Sequence, residues 1–522
     1  MPVRLRTARL VRAGLRLLPA MIPALLFLPL VLAPPLNHDV AAVLHFSQRW
    51  LAGEHLYSDL IDVNPPLIFV LNLLPAALAQ ATGLDGVTAL QLCVLALGLA
   101  CWMLALRVRD RRGEGPTERA LLDVLPLLFL LGSGYDFGQR EHLMAVMALP
   151  YALAAARRAR GEQRNAAARV ATALIAAVGF AIKPHFLALP ALIEFAVLAG
   201  RSRAGWRPAL RASLRDPVPW LMAAVWAAYL VALPLLFPDY LGVVVPLVWR
   251  YYLDLGGLTV WQVLLVPRLA TALCLLLPLL WITFRKPMLP SRALPRILAL
   301  AALGALASAV AQHKGWSYHT LPVELFACAL AAVLAARWID ALAPAAPRPE
   351  CLAGVLAALF ALYAISNGEA PWKELAYGRG EVAGLTALLR EQAEGERVLV
   401  LSPGIYPIFP AVNYAHVRLT LRTMNMWLLE GAYQECLPDG RRYREVWEMR
   451  RAEFFVFRTV AEDFARAPPA AVVVDNQPGI PRCGREFDFI AYFKRHPLFA
   501  EVWSHYQLNA EWDRYRVYTR KD

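Results

Sequence analysis

Residues 127–158 read LLFLLGSGYDFGQREHLMAVMALPYALAAARR. In this stretch a short polar segment lies between two apolar runs, and the second run ends in a pair of arginines. An apolar run of this kind suits a membrane interior, where a helix satisfies its own backbone hydrogen bonds. Charged residues between two such runs are energetically costly and are usually functional. The stretch therefore predicts two membrane helices joined by a polar tip.

The composition of the whole chain agrees with this prediction. Of its 522 residues, 58% are apolar and only 18% are charged, with a mean hydropathy of +0.45. Soluble globular proteins are about 25% charged. The composition excludes a soluble enzyme, a disordered protein and a coiled coil, and it indicates a polytopic membrane protein.

Charge divides the chain into two predicted domains. Residues 1–367 carry 32 basic and 19 acidic side chains, whereas residues 368–522 carry 21 of each. In the second part GERVLVLS, PAAVVVDN and YRVYTRK predict strands, and VAGLTALLREQ and FDFIAYFKRHP predict helices. We therefore expect a mostly α membrane domain over 1–367, with an outer loop at 37–86. A soluble extracytoplasmic α/β domain is expected over 368–522.

Basic residues predict how the helices are oriented. Six segments that alternate with the other loops hold 26 arginines and lysines, and the intervening segments hold five. Cytoplasmic loops are enriched in basic residues, so the N-terminus is predicted to be cytoplasmic in the plasma (inner) membrane. Residues 66–82 are predicted to lie at the outer surface, because a crossing there would turn the basic loop 107–120 outward. Eleven spans are predicted: 17–36, 87–106, 121–134, 142–156, 169–182, 185–199, 217–237, 260–284, 294–311, 319–336 and 351–367.

The first outer loop contains the aspartates that are candidates for catalysis. Asp39 follows the first span directly, and Asp59 and Asp62 precede Pro65-Pro66. A carboxylate at the membrane surface can act as a general base toward a sugar hydroxyl. Alternatively, Asp39 caps the helix that follows it.

Three further tips carry candidate binding residues on the same face. Lysine and arginine suit a phosphate group, and histidines and aromatics beside them suit an attached sugar. The alternatives are a paired turn, a snorkelling lysine and an aromatic interface belt. Arg268, inside a span, is expected to pair either with a phosphate or with Glu324 or Glu194. The tip candidates are Arg140, Glu141, His142, Lys183, His185, His313, Lys314, Tyr318 and His319.

The order of these features resembles the GT-C superfamily of glycosyltransferases that use polyprenyl-phosphate sugars. Within it the chain resembles the branch of protein mannosyltransferases, aminoarabinose transferases and lipopolysaccharide galacturonosyltransferases. The resemblance covers about residues 15–370 and is strongest over 37–190. By position, Asp39 matches the catalytic aspartate of the first loop. The sequences NPPL (64–67), GQREHL (138–143) and AIKPH (181–185) match a KPPL-like, an Arg-Pro-Asp and a Thr-Lys-Gly element, with Asn64, Glu141, His142 and Pro184 as departures.

The resemblance implies an inverting transfer of a sugar from a polyprenyl-phosphate donor to a lipid, glycan or protein acceptor of the cell envelope. Asp39 is the expected base, with Asp62 and Glu141 as the other catalytic candidates. Arg140, Lys183 and Lys314 would stabilise the leaving phosphate. Some branches use a divalent metal, for which Asp39, Glu141 and His142 would be ligands of Mg²⁺ or Mn²⁺. The alternatives are a ligase or polymerase of lipid-linked glycan, and a lipid or sugar transporter.

Two cysteines lie in the predicted outer domain. Cys436 and Cys483 would be in an oxidising compartment, which allows a disulfide. Two buried free thiols are the alternative. The other five cysteines, in or beside the spans, are expected to be apolar filler.

Overall fold

Helices dominate the structure, a computed structural model of the chain. It describes residues 2–109, 111–162, 165–202, 205–252, 256–285, 293–344, 347–367, 375–376, 378–433, 435–480 and 487–521. The helices are α1 Pro2–Leu32, α2 His38–Leu51, α3 Pro66–Thr82, α4 Gly86–Val108, α5 Pro116–Leu131, α6 Arg140–Arg158, α7 Ala166–Ala181, α8 Ala188–Arg201, α9 Trp206–Leu214, α10 Pro217–Leu236, α11 Val245–Leu247, α12 Val260–Leu264, α13 Pro267–Phe284, α14 Ala293–Gln312, α15 Ser317–Leu342, α16 Pro349–Asn367, α17 Ala383–Ala393, α18 Ile408–Tyr414, α19 Trp427–Ala432, α20 Arg451–Arg466, α21 Phe489–Phe493 and α22 Pro497–Trp503.

Each predicted span overlaps a helix of the structure, so the prediction of a mostly α polytopic protein is confirmed. Within the described residues, six segments are long and apolar enough to cross a membrane, while the total of eleven crossings remains a prediction. The six are Gly86–Val108, Pro184–Arg201, Pro217–Leu236, Pro267–Phe284, Ala293–Gln312 and Ser317–Leu342.

Two predicted spans differ from the helices at prolines. The stretch 260–284 is not one helix but two, and α13 starts at Pro267, which lacks the N–H that a helix interior requires. The first helix ends at Leu32, before Pro34 and Pro35, rather than at 36. Residues 66–82 do form a helix, α3, and its place at the membrane surface remains a prediction.

Contacts group the chain into two compact units. Unit 1 comprises 1–34, 91–231 and 258–374, and unit 2 comprises 35–90, 232–257 and 375–522. The first outer loop thus belongs to the same unit as the C-terminal residues. The division at residue 367 remains a proposal for the folding domains.

Unit 1 is a helical bundle with closely packed alanine-rich faces. In it α14 packs against α15 and α8, and α16 packs against α1 and α5. At Gly304 a methyl group would come within 2.7 Å of the Leu189 Cα, so the α14 and α8 backbones nearly touch. Small residues allow such close packing of membrane helices. This contact fixes the end of α14 relative to the tip that precedes α8.

Unit 2 contains a five-stranded mixed sheet. The strands are β1 Arg397–Leu401, β2 Arg418–Leu419, β3 Ala471–Asp475, β4 Tyr506–Trp512 and β5 Tyr515–Arg520. Their order is β2-β1-β3-β5-β4; β1 is parallel to β2 and β3, whereas β5 is antiparallel to β3 and β4. The α/β prediction is confirmed, although the sequence interpretation missed the strands β2 and β4 and the helices α18, α19, α20 and α22.

Polar contacts hold the first outer loop within unit 2. The Asn413 side chain donates to the Ala41 carbonyl (3.0 Å), and the Arg49 guanidinium donates to the Leu421 carbonyl (2.8 Å). Cys436 is disulfide-bonded rather than a free thiol. Its expected partner, Cys483, lies outside the described residues, so the pairing of the two remains a prediction. The cysteines of the spans are free thiols: Cys93, Cys101, Cys274, Cys328 and Cys351.

Candidate active site

A buried ion pair joins two of the predicted tips in unit 1. Lys183 Nζ lies 2.6 Å from Glu141 Oε1, and it also contacts Gln312 Oε1 at 3.1 Å. Glu141 is in the first turn of α6, Lys183 immediately precedes the 3-10 turn Pro184–Leu187, and Gln312 ends α14. The contact between α8 and α14 brings the last two together. Sequence reasoning missed Gln312, although it is a polar residue at the end of an otherwise apolar helix.

Aromatic rings of the α14–α15 tip lie beside these charges. Lys183 Nζ and the Arg140 guanidinium carbon are each 5.4 Å from the centre of the Tyr318 ring. The Tyr318 ring meets His319 edge-on at 4.5 Å, and His319 Nε2 is 4.0 Å from Glu141 Oε1. The structure therefore brings together five predicted residues from three separate tips.

Lys314 extends the positive charge of this cluster. Its Nζ lies 5.1 Å from the centre of the Trp316 ring, and that ring lies 5.4 Å from His319. His319 is within electrostatic range of Lys314, Lys183 and Arg140. The side chains of Lys183, Arg140 and Lys314 thus act on the same histidine, and their positive charges suit an anion.

Polar atoms of this cluster remain available for a ligand. Glu141 Oε2 and His319 Nδ1 are both buried and make no hydrogen bond with any residue that the structure describes. His185 Nε2 is in the same situation. A buried polar atom without a partner costs about 1–3 kcal/mol, so these atoms are suited to accept a bound polar group.

His142 has a structural position rather than a binding one. Its Nδ1 accepts from the Gly138 N–H (3.0 Å), and its Nε2 is 3.2 Å from the Phe129 carbonyl. Gly138 has φ +84°, and in this conformation its N–H points toward the His142 ring. Both ring nitrogens are therefore engaged by backbone, which corrects His142 as a substrate or metal ligand. His313 also has a backbone role, since its carbonyl accepts from Leu258 N.

A second buried ion cluster in unit 1 contains Arg268. This arginine binds Glu324 through Nε and Nη2 (2.8 and 2.9 Å) and Asp136 through Nη1 (2.9 Å). The expected pairing with Glu324 is confirmed. Glu194, the other expected partner, instead binds Arg158 (2.7 Å). The bidentate contact orients Arg268 toward carboxylates, which makes it a structural clamp.

Two aspartates of unit 2 differ in their surroundings. Asn37, not Asp39, caps α2, and its side chain accepts from the Asp39 N–H (3.0 Å). The capping alternative for Asp39 is therefore wrong. Asp62 Oδ1 accepts from both nitrogens of Asn64, at 2.8 and 2.7 Å, which is a turn-forming contact.

Two other residues of the outer loop have shifted pKa values. The backbone N–H of His55 donates to Asp59 and, as the main cause, lowers the pKa of that carboxyl. Burial, followed by the charges of Arg49 and other arginines, lowers the pKa of His45 to about 3. Its Nε2 accepts from the Leu419 N–H (3.3 Å), so His45 is neutral and structural.

Two of the three predicted metal ligands already contact protein atoms. Glu141 has one oxygen committed to Lys183, and His142 has no free ring nitrogen. In the described ranges, no three histidine, cysteine or carboxylate side chains are grouped as ligands. No step of the chemistry is therefore assigned to a metal.

The comparisons with known proteins agree with the fold. The sequence matches no protein-family model and no curated protein. Among solved structures, the chain is similar to ArnT from Cupriavidus metallidurans bound to undecaprenyl phosphate, with a TM-score of 0.50, 14% identity and 97% of both chains covered. The apo state of the same protein gives a TM-score of 0.52 at 14% identity, covering 97% of this chain and 98% of that one. At this identity the similarity shows a shared fold along nearly the whole chain.

Proposed function

We propose that the chain is a membrane glycosyltransferase that moves a sugar from a polyprenyl-phosphate donor to a cell-envelope acceptor. The observation that carries this proposal is the cluster around Tyr318, where Arg140 and Lys183 lie beside one aromatic ring. Cations suit the phosphate of the donor, and an aromatic face suits a sugar ring. The shared fold supports the proposal, because ArnT binds undecaprenyl phosphate in its crystal structure.

In the proposed reaction, a carboxylate takes the proton of the acceptor hydroxyl. The oxygen then attacks the anomeric carbon, the bond from that carbon to the phosphate oxygen breaks, and polyprenyl phosphate leaves with the electron pair. The configuration at the anomeric carbon is inverted. Negative charge grows on the leaving phosphate, and Arg140, Lys183 and Lys314 stabilise it.

Asp39 is proposed as the base. Its position after the first helix and its match to the family's first-loop aspartate support this role. Its side chain does not cap α2, because Asn37 does. Asp62 is the weaker candidate, since one of its oxygens already holds Asn64. Glu141 is bound to Lys183, and we propose that it holds that lysine in place.

We propose that the N-terminus is cytoplasmic and that the C-terminal residues are extracytoplasmic. The uneven distribution of basic residues between alternating segments supports this orientation. Single cysteines at positions 112 and 440 would test it with a membrane-impermeant reagent in intact cells. Labelling at position 440 alone is expected. Labelling at position 112 alone would show that the orientation is the opposite of the one proposed.

The function is tested with a radiolabelled polyprenyl-phosphate sugar in membranes that contain the protein. Transfer predicts label in an acceptor together with release of unlabelled lipid phosphate. Lys183→Ala and Arg140→Ala should weaken use of the donor, whereas Arg207→Ala, an exposed arginine of α9, is the matched control. Unchanged donor affinity and turnover in both variants would refute the phosphate role.

The same assay separates the alternative functions. A ligase or polymerase would attach a whole glycan, which the mass of the product reveals. A transporter would move label across the membrane without releasing lipid phosphate.

A further inference from the structure

A cavity in unit 1 is lined mainly by arginines and lies away from the candidate active site. Its volume is about 450 Å³. The candidate active site is at the first turn of α6, and the cavity is at the last turn of the same helix. Nineteen helical residues extend about 28 Å, close to the thickness of a membrane's hydrocarbon core. The lining residues are Arg107, Arg109, Arg111, Arg112, Arg157, Glu162 and Asn165.

Three helix ends form this cavity. Arg107 is in the last turn of α4, and Arg157 donates from Nη1 to the Val108 carbonyl (3.3 Å), so α4 and α6 end side by side. Asn165 caps α7 by accepting from the Ala168 N–H (3.1 Å). The start of α7 adds a partial positive charge to the arginines.

The arginines are only partly neutralised. Arg109 pairs with Asp123 (2.9 Å) and Glu114 (3.2 Å), and Arg112 pairs with Glu162 (3.1 Å). Arg107 and Arg157 form no ion pair with any carboxylate in the described part of the chain, and Arg157 Nε is buried without a hydrogen bond there. Among the residues that the structure describes here, five arginines face three carboxylates, which leaves a surplus of positive charge.

We propose that this cavity binds a phosphate anion, carried by an acidic phospholipid of the leaflet opposite the active site. A guanidinium group can donate two parallel hydrogen bonds to the oxygens of one phosphate. Basic pockets that face the membrane recognise acidic lipid headgroups. Apolar side chains next to the cavity favour a lipid over a soluble phosphate. Met103 and Leu99 precede Arg107 by one and two turns, and they are 45% and 49% exposed. These apolar side chains provide a surface for an acyl chain.

Native mass spectrometry of the purified full-length protein in neutral detergent tests the proposal. The probes are dioleoylphosphatidylglycerol, dioleoylphosphatidylcholine and sodium pyrophosphate. The parent should bind the glycerol lipid about tenfold more tightly than the choline lipid. The variant Arg107→Gln/Arg112→Gln/Arg157→Gln should bind the glycerol lipid about 100-fold more weakly, since each of the three arginines near an acidic lipid contributes a factor of about five.

The matched control removes the same charge elsewhere. Arg207→Gln/Arg211→Gln/Arg215→Gln changes three exposed arginines in and just after α9, and it should leave lipid binding unchanged. If the cavity variant does not fold, Arg112→Gln is used instead. The Arg112 side chain is 68% exposed, so its substitution should not disturb folding. The affinity of this single variant for the glycerol lipid should fall about fivefold.

The probes also distinguish the source of the phosphate. Lipid binding that depends on the cavity arginines, with no competition by pyrophosphate, supports the lipid site. If pyrophosphate binding depends on the same arginines and neither lipid stays bound to the protein, the cavity binds a soluble phosphate instead. Equal binding of every probe by the parent and the cavity variant would overturn the proposal.

Discussion

Lys183 Nζ lies 2.6 Å from Glu141 Oε1, and the two side chains are 11% and 1% exposed. They come from different hairpin tips, 42 positions apart in the sequence. Removal of one partner from a buried pair leaves an uncompensated charge, which costs about 3–5 kcal/mol. The pair therefore explains how an isolated lysine is held at the candidate active site.

Lys183→Met should lower the thermal unfolding temperature more than Glu141→Gln/Lys183→Met does. The single variant leaves a buried carboxylate without its cation, whereas the double variant removes both charges. Unfolding is followed in detergent by loss of the monodisperse peak after heating. Both variants should use the donor more weakly than the parent, because each lacks the cation of Lys183. A double variant as unstable as the single one would show that the pair does not determine stability here.

Asp39→Asn should reduce sugar transfer by about 10²–10⁴-fold, with donor binding retained. The substitution keeps the size of the side chain, and the cap of α2 is provided by Asn37. Initial rates with the radiolabelled donor measure the effect. Asp59→Asn and Asp62→Asn are the neighbouring controls. If Asp62→Asn is inactive while Asp39→Asn is active, the base is Asp62 rather than Asp39. If all three variants are active, none of these aspartates is the base and the proposed reaction is contradicted.

His45 should make unit 2 less stable as the pH falls. Its pKa is about 3 in the folded protein and 6.5 in the reference state, so the unfolded chain binds more protons between these values. The stabilisation is complete above pH 6.5 and is lost as the pH falls toward 3, by about 1.4 kcal/mol per unit. Thermal unfolding from pH 8 to pH 5 should show this slope in the parent.

His45→Gln should have a shallower dependence on pH than the parent, because glutamine does not titrate. His505→Gln, at an exposed histidine, is the control and should keep the parental slope. Identical slopes in all three proteins would show that protonation of His45 does not control acid stability.

Reduction of the Cys436 disulfide should destabilise unit 2. For a closed loop of the length from 436 to 483, the chain-entropy estimate is roughly 4 kcal/mol. Mass spectrometry after alkylation without reduction should leave Cys436 unmodified, and Cys436→Ser should lower the unfolding temperature of the protein. Alkylation of Cys436 and Cys483 before reduction would contradict the disulfide.

The sequence predicted the helices and the polar tips because both depend on local composition. A run of apolar residues must form a helix in a membrane, and a charge between two runs must lie near a surface. The strands β1, β3 and β5 were predictable for a similar reason, as short apolar or β-branched segments. Pro267 accounts for the break between α12 and α13, because proline lacks the N–H that a helix interior requires.

The pairing of charges depended on the tertiary structure. The sequence could not assign Glu141 to Lys183 or Asp136 to Arg268, because these partners meet only through helix packing. Nor could it exclude His142 from the site, since its ring nitrogens are occupied by backbone atoms that the turn at Gly138 and the end of α5 bring to it. Composition determines which segments enter the membrane, whereas hydrogen-bond distances of about 3 Å are decided only when separate helices are packed together.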